Sequence, residues 1–229
     1  MKDNTGLKII ATIKTDFPTK FGIPRQSGLI PTLKGKIIFE PEYRNKEALR
    51  GLDGFSHLWL LWKFSEAVID NWSPTVRPPR LGGNKRMGVF ATRSPFRPNP
   101  IGLSSVKLEE ILDDGENGTV LIVSGADLMD GTPIYDIKPY IAYTDSHPDA
   151  LGGFSGEVFE NCLTVEFGSE LKCIMPPDTA AALTEILASD PRPGYKADSD
   201  RIYSFEYAGY NIKFSVENNI LTVLSVVKL

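Results

Sequence analysis

The segment from Phe90 to Gly102 holds the densest set of residues suited to binding a charged ligand. Arg93, Arg97 and Asn99 stand there among three prolines, between apolar residues. Prolines stiffen the backbone and so lower the entropy cost of presenting two guanidinium groups and an amide to a ligand. The alternative is an irregular crossover whose arginines cap backbone carbonyls. The segment by itself does not decide between the two.

Polar residues also alternate along the segment from Ile134 to Tyr140. In an extended strand successive side chains point to opposite faces. Asp136, Lys138 and Tyr140 therefore share one face of the predicted strand. A carboxylate, an ammonium and a phenol on one face are a candidate polar site.

Several chemistries are disfavoured by what the sequence lacks. His57 and His147 are its two histidines, and neither is near a Gly-x-Ser-x-Gly turn, which disfavours a Ser–His or Cys–His nucleophile. The glycines of Gly152–Gly156 have the wrong spacing for a dinucleotide-binding loop. Two histidines and no Cys-x-x-Cys argue against a structural zinc site, and we expect no metal.

The 229 residues carry a net charge of −4, but the charge is divided unevenly. Residues 1–108 hold 18 basic and 8 acidic residues, whereas residues 109–229 hold 7 and 21. From Asn71 to Leu108 there is no acidic residue. Such asymmetry favours a polyanionic partner, or attraction between the two halves within a monomer or across a dimer. Charge alone leaves both interpretations open.

The elements that must position these residues are mostly strands. Short β-branched runs occur at Lys8–Ile13 and Gly35–Phe39, and Phe55–Phe64 is apolar on both faces, as in a strand at the centre of a barrel or covered sheet. Ser105–Val123 is predicted to form a β-hairpin. One or two helical turns are predicted at Asn45–Arg50.

A domain boundary is predicted near Ser146–Gly156. Beyond it we expect strands around 158–167 and 170–174, a helix at Asp178–Ser189, and a final three-stranded meander. The predicted fold class is mainly β: an N-terminal antiparallel β-barrel over residues 1–150 and a small C-terminal α+β domain over residues 151–229. No apolar run is long enough to span a bilayer and no signal peptide is evident, so the expected location is the cytoplasm.

Several motifs resemble segments of the TsaA-like (YaeB-like) tRNA methyltransferases, in the order of that family. They are Gly22–Gln26, Gly54–Trp59, Arg77–Gly83, Phe90–Arg93, Arg97–Gly102, Asp130–Pro133 and Asp136–Tyr140. Together they cover about the first 145 residues. Asp190–Tyr195 resembles a motif of the family's C-terminal extension.

The resemblance implies a β-barrel enzyme that uses S-adenosylmethionine to methylate N6 of threonylcarbamoyl-adenosine, the modified base next to the tRNA anticodon. It also implies a homodimer in which barrel loops bind the cofactor. The implied cofactor-binding residues are Pro24, Arg25, Gln26, His57, Leu58, Arg93, Leu103, Asp130, Gly131, Thr132 and Pro133.

Within that resemblance Asp136 is the candidate general base, or the group that orients the N–H of the substrate. Lys138 would bind the carboxylate of the substrate or steady Asp136. The alternative is an ion pair on the barrel rim without a catalytic part. His57 is a second candidate base, although a cofactor or core contact is the favoured interpretation. Tyr140 either stacks on the adenine or packs as an ordinary tyrosine.

The predicted tRNA contacts are basic residues, because affinity for RNA rests largely on neutralised phosphates. They are Arg77, Arg80, Lys85, Arg86 and Arg192. The alternatives are a solvated loop for the first four and a helix cap for Arg192.

Two other functions remain open at this stage: a non-catalytic RNA- or ligand-binding regulator built on the same barrel, and a methyltransferase acting on a small molecule. No residue carried over from the family motifs is visibly replaced, which weakens the first. The basic, acid-free segment favours RNA over a small molecule.

Overall fold

The fold is that of a computed structural model in which residues 6–66, 71–78, 85–158, 162–192 and 201–229 are described. The strands are β1 (Ala11–Lys14), β2 (Lys34–Phe39), β3 (His57–Lys63), β4 (Thr75–Val76), β5 (Met87–Gly88), β6 (Ile101–Asp113), β7 (Thr119–Ser124), β8 (Thr132–Pro139), β9 (Thr164–Glu166), β10 (Tyr203–Tyr207), β11 (Tyr210–Glu217) and β12 (Ile220–Lys228). The α-helices are α1 (Ala142–Asp145), α2 (Ser169–Lys172) and α3 (Pro177–Ala188). Short 3-10 turns span Pro41–Tyr43, Lys46–Leu49, Leu52–Gly54, Val89–Ala91, Gly115–Asn117 and Gly153–Val158.

Six strands close into a barrel in the order β1, β2, β7, β6, β3, β8, with β8 pairing back onto β1. Every neighbouring pair is antiparallel. Closure removes the exposed edges that a flat sheet of this size would carry. The predicted antiparallel barrel is confirmed.

Strand β3 shows how the sequence specifies the barrel wall. Leu58 and Leu60 are fully buried and Trp62 nearly so, whereas His57 and Lys63 are exposed. The sequence predicted a strand that is apolar on both faces; the structure buries one face and leaves Trp59 and Leu61 on the other face half-buried. The inward side chains join those of the other strands in a single apolar core inside the barrel.

The connection from β3 to β6 contains a two-stranded ribbon, β4 paired with β5. Val89 follows the ribbon and is buried, and its N–H donates to the carbonyl of Pro74 at 2.9 Å. The proline-rich segment is therefore anchored to the ribbon without a long regular element.

The C-terminal unit is a four-stranded sheet, in the order β10, β11, β12, β9, with α3 beside it. The predicted helix at Asp178–Ser189 is confirmed as α3, and the predicted meander as β10–β12. The predicted strand at 170–174 is wrong, because that stretch begins in the short helix α2. Glu170 in the first turn and Lys172 in the last suit the helix dipole.

The connection between β1 and β2 packs against the C-terminal unit. Phe17, Ile30 and Leu33 belong to the same buried cluster as residues of α3 and β11. Gly22 has φ +92°, and a Cβ there would lie 2.5 Å from Cδ2 of Phe205 on β10. Glycine is required at this position both by the left-handed backbone and by the close approach. Within the described residues, no helix is long and apolar enough to cross a membrane.

Candidate functional site

A cavity of about 700 Å³ opens where β3 ends and β6 begins. Its walls come from four separate stretches of the sequence. They are the β1–β2 connection, the end of β3, the proline-rich segment with the start of β6, and the turn before β8. Its volume lies within the range of about 300–1,000 Å³ usual for sites that bind small molecules and cofactors.

The cavity brings together six of the residues predicted to bind a cofactor. They are Pro24, Arg25, Gln26, Arg93, Leu103 and Thr132. The Arg93 guanidinium donates a hydrogen bond to Oε1 of Gln26, which joins two motifs that are far apart in the sequence. The Pro24–Gln26 motif and the proline-rich segment thus form one site.

Two other predicted cofactor residues lie at the opposite end of β3. Leu58 is fully buried in the barrel core. His57 is exposed, its Nδ1 lies 2.9 Å from the Ser56 hydroxyl, and neither residue lines the cavity. Contact of these two residues with a cofactor stays a prediction.

Asp130, Gly131 and Pro133 form the turn into β8 and pair with β1. The Asp130 carboxylate accepts hydrogen bonds from the N–H of Thr15 at 3.0 Å and from Lys14 at 3.3 Å. The N–H of Gly131 donates to the carbonyl of Ile13 at 2.8 Å. This turn supports its neighbour Thr132, which lines the cavity, and direct contacts of the other three stay predictions.

Arg25 links the cavity to the C-terminal unit. Its guanidinium donates to the carbonyls of Asp190 at 3.2 Å and Arg192 at 2.9 Å. Arg192 is largely buried and makes a two-point ion pair with Asp190, at 2.8 and 2.9 Å. The Asp190–Arg192 ion pair shapes the turn whose carbonyls accept from Arg25. The described part of the Asp190–Tyr195 motif therefore holds Arg25 in place. An RNA contact by Arg192 stays a prediction.

Sequence reasoning missed Asp127, whose buried carboxylate lies in the wall of this cavity. The hydroxyl of Ser104 donates to Asp127 at 2.6 Å, and the indole N–H of Trp62 donates to that hydroxyl at 2.9 Å. Burial raises the pKa of Asp127, against the lowering effects of the Ser104 hydrogen bond and the positive charge of Arg93. One signal was available, namely a single acidic residue between the apolar Ala126 and Leu128.

We expect Asp127→Asn to stabilise the protein near neutral pH. Because the pKa is raised in the folded state, wild-type stability is fullest below the unfolded pKa of about 3.9 and declines as pH rises through the folded value. Asparagine does not ionise, so the stability of the variant should not decline in this pH range. Thermal unfolding at several pH values should show the variant's advantage shrinking towards pH 4.

The matched control is Asp53→Asn, which removes an exposed carboxylate on a surface turn. A stability difference between Asp127→Asn and wild type that stays constant with pH would contradict the assignment of a buried carboxylate with a raised pKa.

Asp136 and Lys138 lie beside the cavity wall on the outer face of the barrel. Their charged groups are 2.8 Å apart, and both side chains are well exposed. In the strand register Lys138 is opposite Trp59, which lines the cavity and whose indole N–H donates to Asp145 at 2.8 Å. The predicted ion pair is present, next to the cavity, and its role in catalysis stays a prediction.

Three of the five predicted RNA-contacting residues lie next to the β4–β5 ribbon. Arg77 follows β4, while Lys85 and Arg86 precede β5, and all three are exposed. Arg86 donates to the Thr75 hydroxyl at 3.1 Å. Arg80 lies outside the described residues. No group of three side chains suited to holding a metal ion occurs in the described part of the chain.

Comparison with known proteins identifies this architecture. Residues 12–146 match the N-terminal domain of tRNA-methyltransferase O, and residues 160–229 match the TrmO C-terminal domain. The barrel and the attached sheet together define a tRNA methyltransferase built on a closed β-barrel.

Individual relatives agree over nearly the full length. The tRNA (adenine(37)-N6)-methyltransferase of Escherichia coli is 40% identical over 90% of this chain and 91% of its own. A Pseudomonas aeruginosa protein named for S-adenosylmethionine-dependent methyl transfer is 41% identical over 82% of this chain and 81% of its own. The crystal structure of TrmO from P. aeruginosa has a TM-score of 0.78 at 32% identity, covering 100% of this chain and 99% of that one.

The chain belongs to the TrmO family. The family resemblance drawn from its motifs is thereby confirmed.

Proposed function

We propose that this protein transfers the methyl group of S-adenosylmethionine to N6 of threonylcarbamoyl-adenosine next to the anticodon of tRNA. The observation that carries the proposal is the cavity itself, which gathers the separated family motifs around the buried carboxylate of Asp127 and the guanidinium of Arg93. The E. coli relative, named for methylation of adenine 37 at N6, supports the same reaction.

The residues of the cavity suit S-adenosylmethionine. Trp59 and Phe96 offer flat apolar surface to an adenine ring, and Asp127 offers negative charge to an ammonium or sulfonium centre. Arg93 is placed to pair with the carboxylate of the methionine moiety. When bound, this cofactor supplies an electrophilic methyl group attached to a positively charged sulfur.

The main task of the protein is then to align the nucleophile with the methyl carbon. Holding a nucleophile and the methyl carbon in line contributes several kcal/mol, roughly 7–11 at best. The cavity's walls do this with fixed groups, since Trp59 is held by Asp145 and Asp127 by Ser104. A target base in a single-stranded loop can turn out of the stack and enter such a site without melting a duplex.

The N6 nitrogen of the substrate must also lose a proton. In a urea-like group its lone pair is delocalised, so a nearby base assists. Asp136 is the proposed acceptor, with Lys138 at 2.8 Å holding its carboxylate and available to a substrate carboxylate. Asp136 lies on the outer face, opposite Leu61 in the strand register, and its exposed carboxylate is accessible to a base lying across the cavity mouth.

The proposed working form is a cytoplasmic homodimer. Support for a dimer comes from the charge division, since the basic half of one protomer would attract the acidic half of its partner. Support for the cytoplasm comes from the proposed tRNA substrate and from the two cysteines, both exposed and without a disulfide.

Nucleoside mass spectrometry tests the function. The experiment compares tRNA from cells with and without this protein, and treats the deficient tRNA with purified protein and S-adenosylmethionine. We expect methylated threonylcarbamoyl-adenosine to be missing from the deficient cells and to be restored by the protein. If threonylcarbamoyl-adenosine never gains a methyl group, the proposal fails.

Replacing Arg77 and Arg80 together by alanine is expected to weaken tRNA binding and to flatten its salt dependence. Each lost phosphate contact should reduce the slope of log K against log salt by about 0.7–0.9. Filter binding over a salt series measures this directly. The charge-matched control is Lys213→Ala with Lys228→Ala, on exposed positions of the C-terminal sheet. An unchanged slope in the first variant would make Arg77 and Arg80 structural residues.

A further inference from the structure

Two aromatic side chains are exposed on the acid-free segment, close to the cavity. Phe90 is 72% exposed and Trp72 is 50% exposed. Their ring centroids lie 6.2 Å apart with planes inclined by 31°. At this exposure most of the Phe90 side chain is in contact with solvent, and exposed apolar surface of this kind marks a candidate interaction site.

The backbone holds Phe90 firmly in this exposed position. It stands in the middle of the 3-10 turn Val89–Ala91, directly after the buried Val89. The Thr92 hydroxyl donates to the carbonyl of Val89 at 2.8 Å and closes the turn. The ring is therefore presented by ordered structure and pays little further ordering entropy when a ligand binds.

Arg97 connects the aromatic pair to the cavity. Its guanidinium carbon lies 6.0 Å from the centroid of Phe90, and its Nη1 donates to the carbonyl of Thr92 at 3.2 Å. Arg97 and the half-exposed Phe96 both line the cavity. Trp72, Phe90, Arg97 and Phe96, here called the aromatic strip, thus run from the ribbon to the cavity.

The charges around the aromatic strip indicate which class of ligand it would bind. From Asn71 to Leu108 the sequence holds basic residues and no acidic ones, and Arg77, Lys85 and Arg86 are exposed on the adjoining ribbon. Aromatic faces and arginine planes stack on nucleotide bases, and neighbouring cations neutralise phosphates. Unpaired bases flanked by phosphates are the ligand that satisfies both features, because bases in a duplex have no free face.

We propose that Phe90 and Trp72 form a stacking site for an unpaired nucleotide of the tRNA loop adjacent to the target nucleotide at the cavity mouth. The inference rests on the proposed function and deepens it, because it says how the loop is held open beside the cavity. The site acts by stacking, so it adds affinity for single-stranded RNA without adding salt dependence.

The test is a binding titration without cofactor, using an unmodified anticodon stem-loop RNA and a fully paired RNA of equal length. Base stacking on an aromatic side chain corresponds to about 5- to 150-fold in affinity. We expect Phe90→Leu to weaken stem-loop binding about tenfold and to leave the paired RNA, the salt slope and S-adenosylmethionine affinity unchanged. Phe90→Tyr, which retains a ring, should bind the stem-loop as wild type does.

Tyr143→Leu is the matched control, since it removes a highly exposed aromatic ring elsewhere. Wild-type binding by Phe90→Leu would overturn the proposal, and so would equal weakening for both RNAs. Sedimentation provides the third arm: a changed oligomeric state in Phe90→Leu would mean that a second copy of the chain covers the strip. Methylation is not measured here, so failure of the stacking site and failure of the proposed reaction are distinguishable.

Discussion

Arg93→Ala is expected to abolish measurable S-adenosylmethionine binding. The Arg93 guanidinium positions Gln26 through a hydrogen bond and supplies positive charge opposite Asp127. The variant would lose a charge-assisted hydrogen bond, typically worth about 1.5–3 kcal/mol, and would remove the positive charge that faces Asp127. The combined loss corresponds to roughly a 100-fold or greater rise in Kd, measured by titration calorimetry.

The S-adenosylmethionine affinity of Arg93→Lys should fall between those of Arg93→Ala and wild type, because lysine keeps the charge but lacks the planar guanidinium group. Arg86→Ala is the matched control, as Arg86 donates to Thr75 on the ribbon and does not line the cavity. Unchanged affinity in Arg93→Ala would remove Arg93 from the cofactor site.

Gly102→Ala is expected to destabilise the barrel and damage the cavity together. A Cβ on Gly102 would overlap Cε2 and Cζ2 of Trp62 and come within 2.6 Å of Cδ2. Trp62 is nearly buried, so the ring must move, and overpacking of this kind costs about 1–3 kcal/mol. Denaturant unfolding should show this loss, with a fall in Tm of about 2–4 °C for each kcal/mol.

The damage should extend to binding, since the indole N–H of Trp62 donates to Ser104, which donates to Asp127. Gly88→Ala is the control: a Cβ there meets no atom within 4 Å, and φ is −57°. Combining Gly102→Ala with Trp62→Leu should cost less than the sum of the single changes, because the overlap is gone. Wild-type stability of Gly102→Ala would show that the ring has space to shift.

The sequence reveals best those features that depend on local periodicity. The apolar run Phe55–Phe64 predicted a strand in a barrel wall, and β3 takes that place, with Leu58, Leu60 and Trp62 buried. Pro177 before an apolar run indicated α3. The stretch at 170–174 was misassigned because a helix of four residues offers too little periodicity to oppose a β-prone reading.

The parts of the site that escaped prediction depend on distant contacts. Asp127 is one carboxylate among many in the sequence, and only folding shows that Ser104 and Arg93 face it. The motif that includes Arg25 pointed to a cofactor, yet nothing local reveals that two carbonyls 165 and 167 residues further along accept its hydrogen bonds. Such pairings are properties of topology and not of spacing.

The packing of the β1–β2 connection on the C-terminal unit also sets an order of assembly during translation. Phe17, Ile30 and Leu33 are made early, whereas their packing partners Leu183 and Phe214 come near the end of the chain. At about 5–20 residues per second, these apolar side chains wait on the order of ten seconds for their partners. Strand β1 likewise waits for β8 before the barrel can close. The loop that carries Arg25 therefore gains its final support only after these distant residues have left the ribosome.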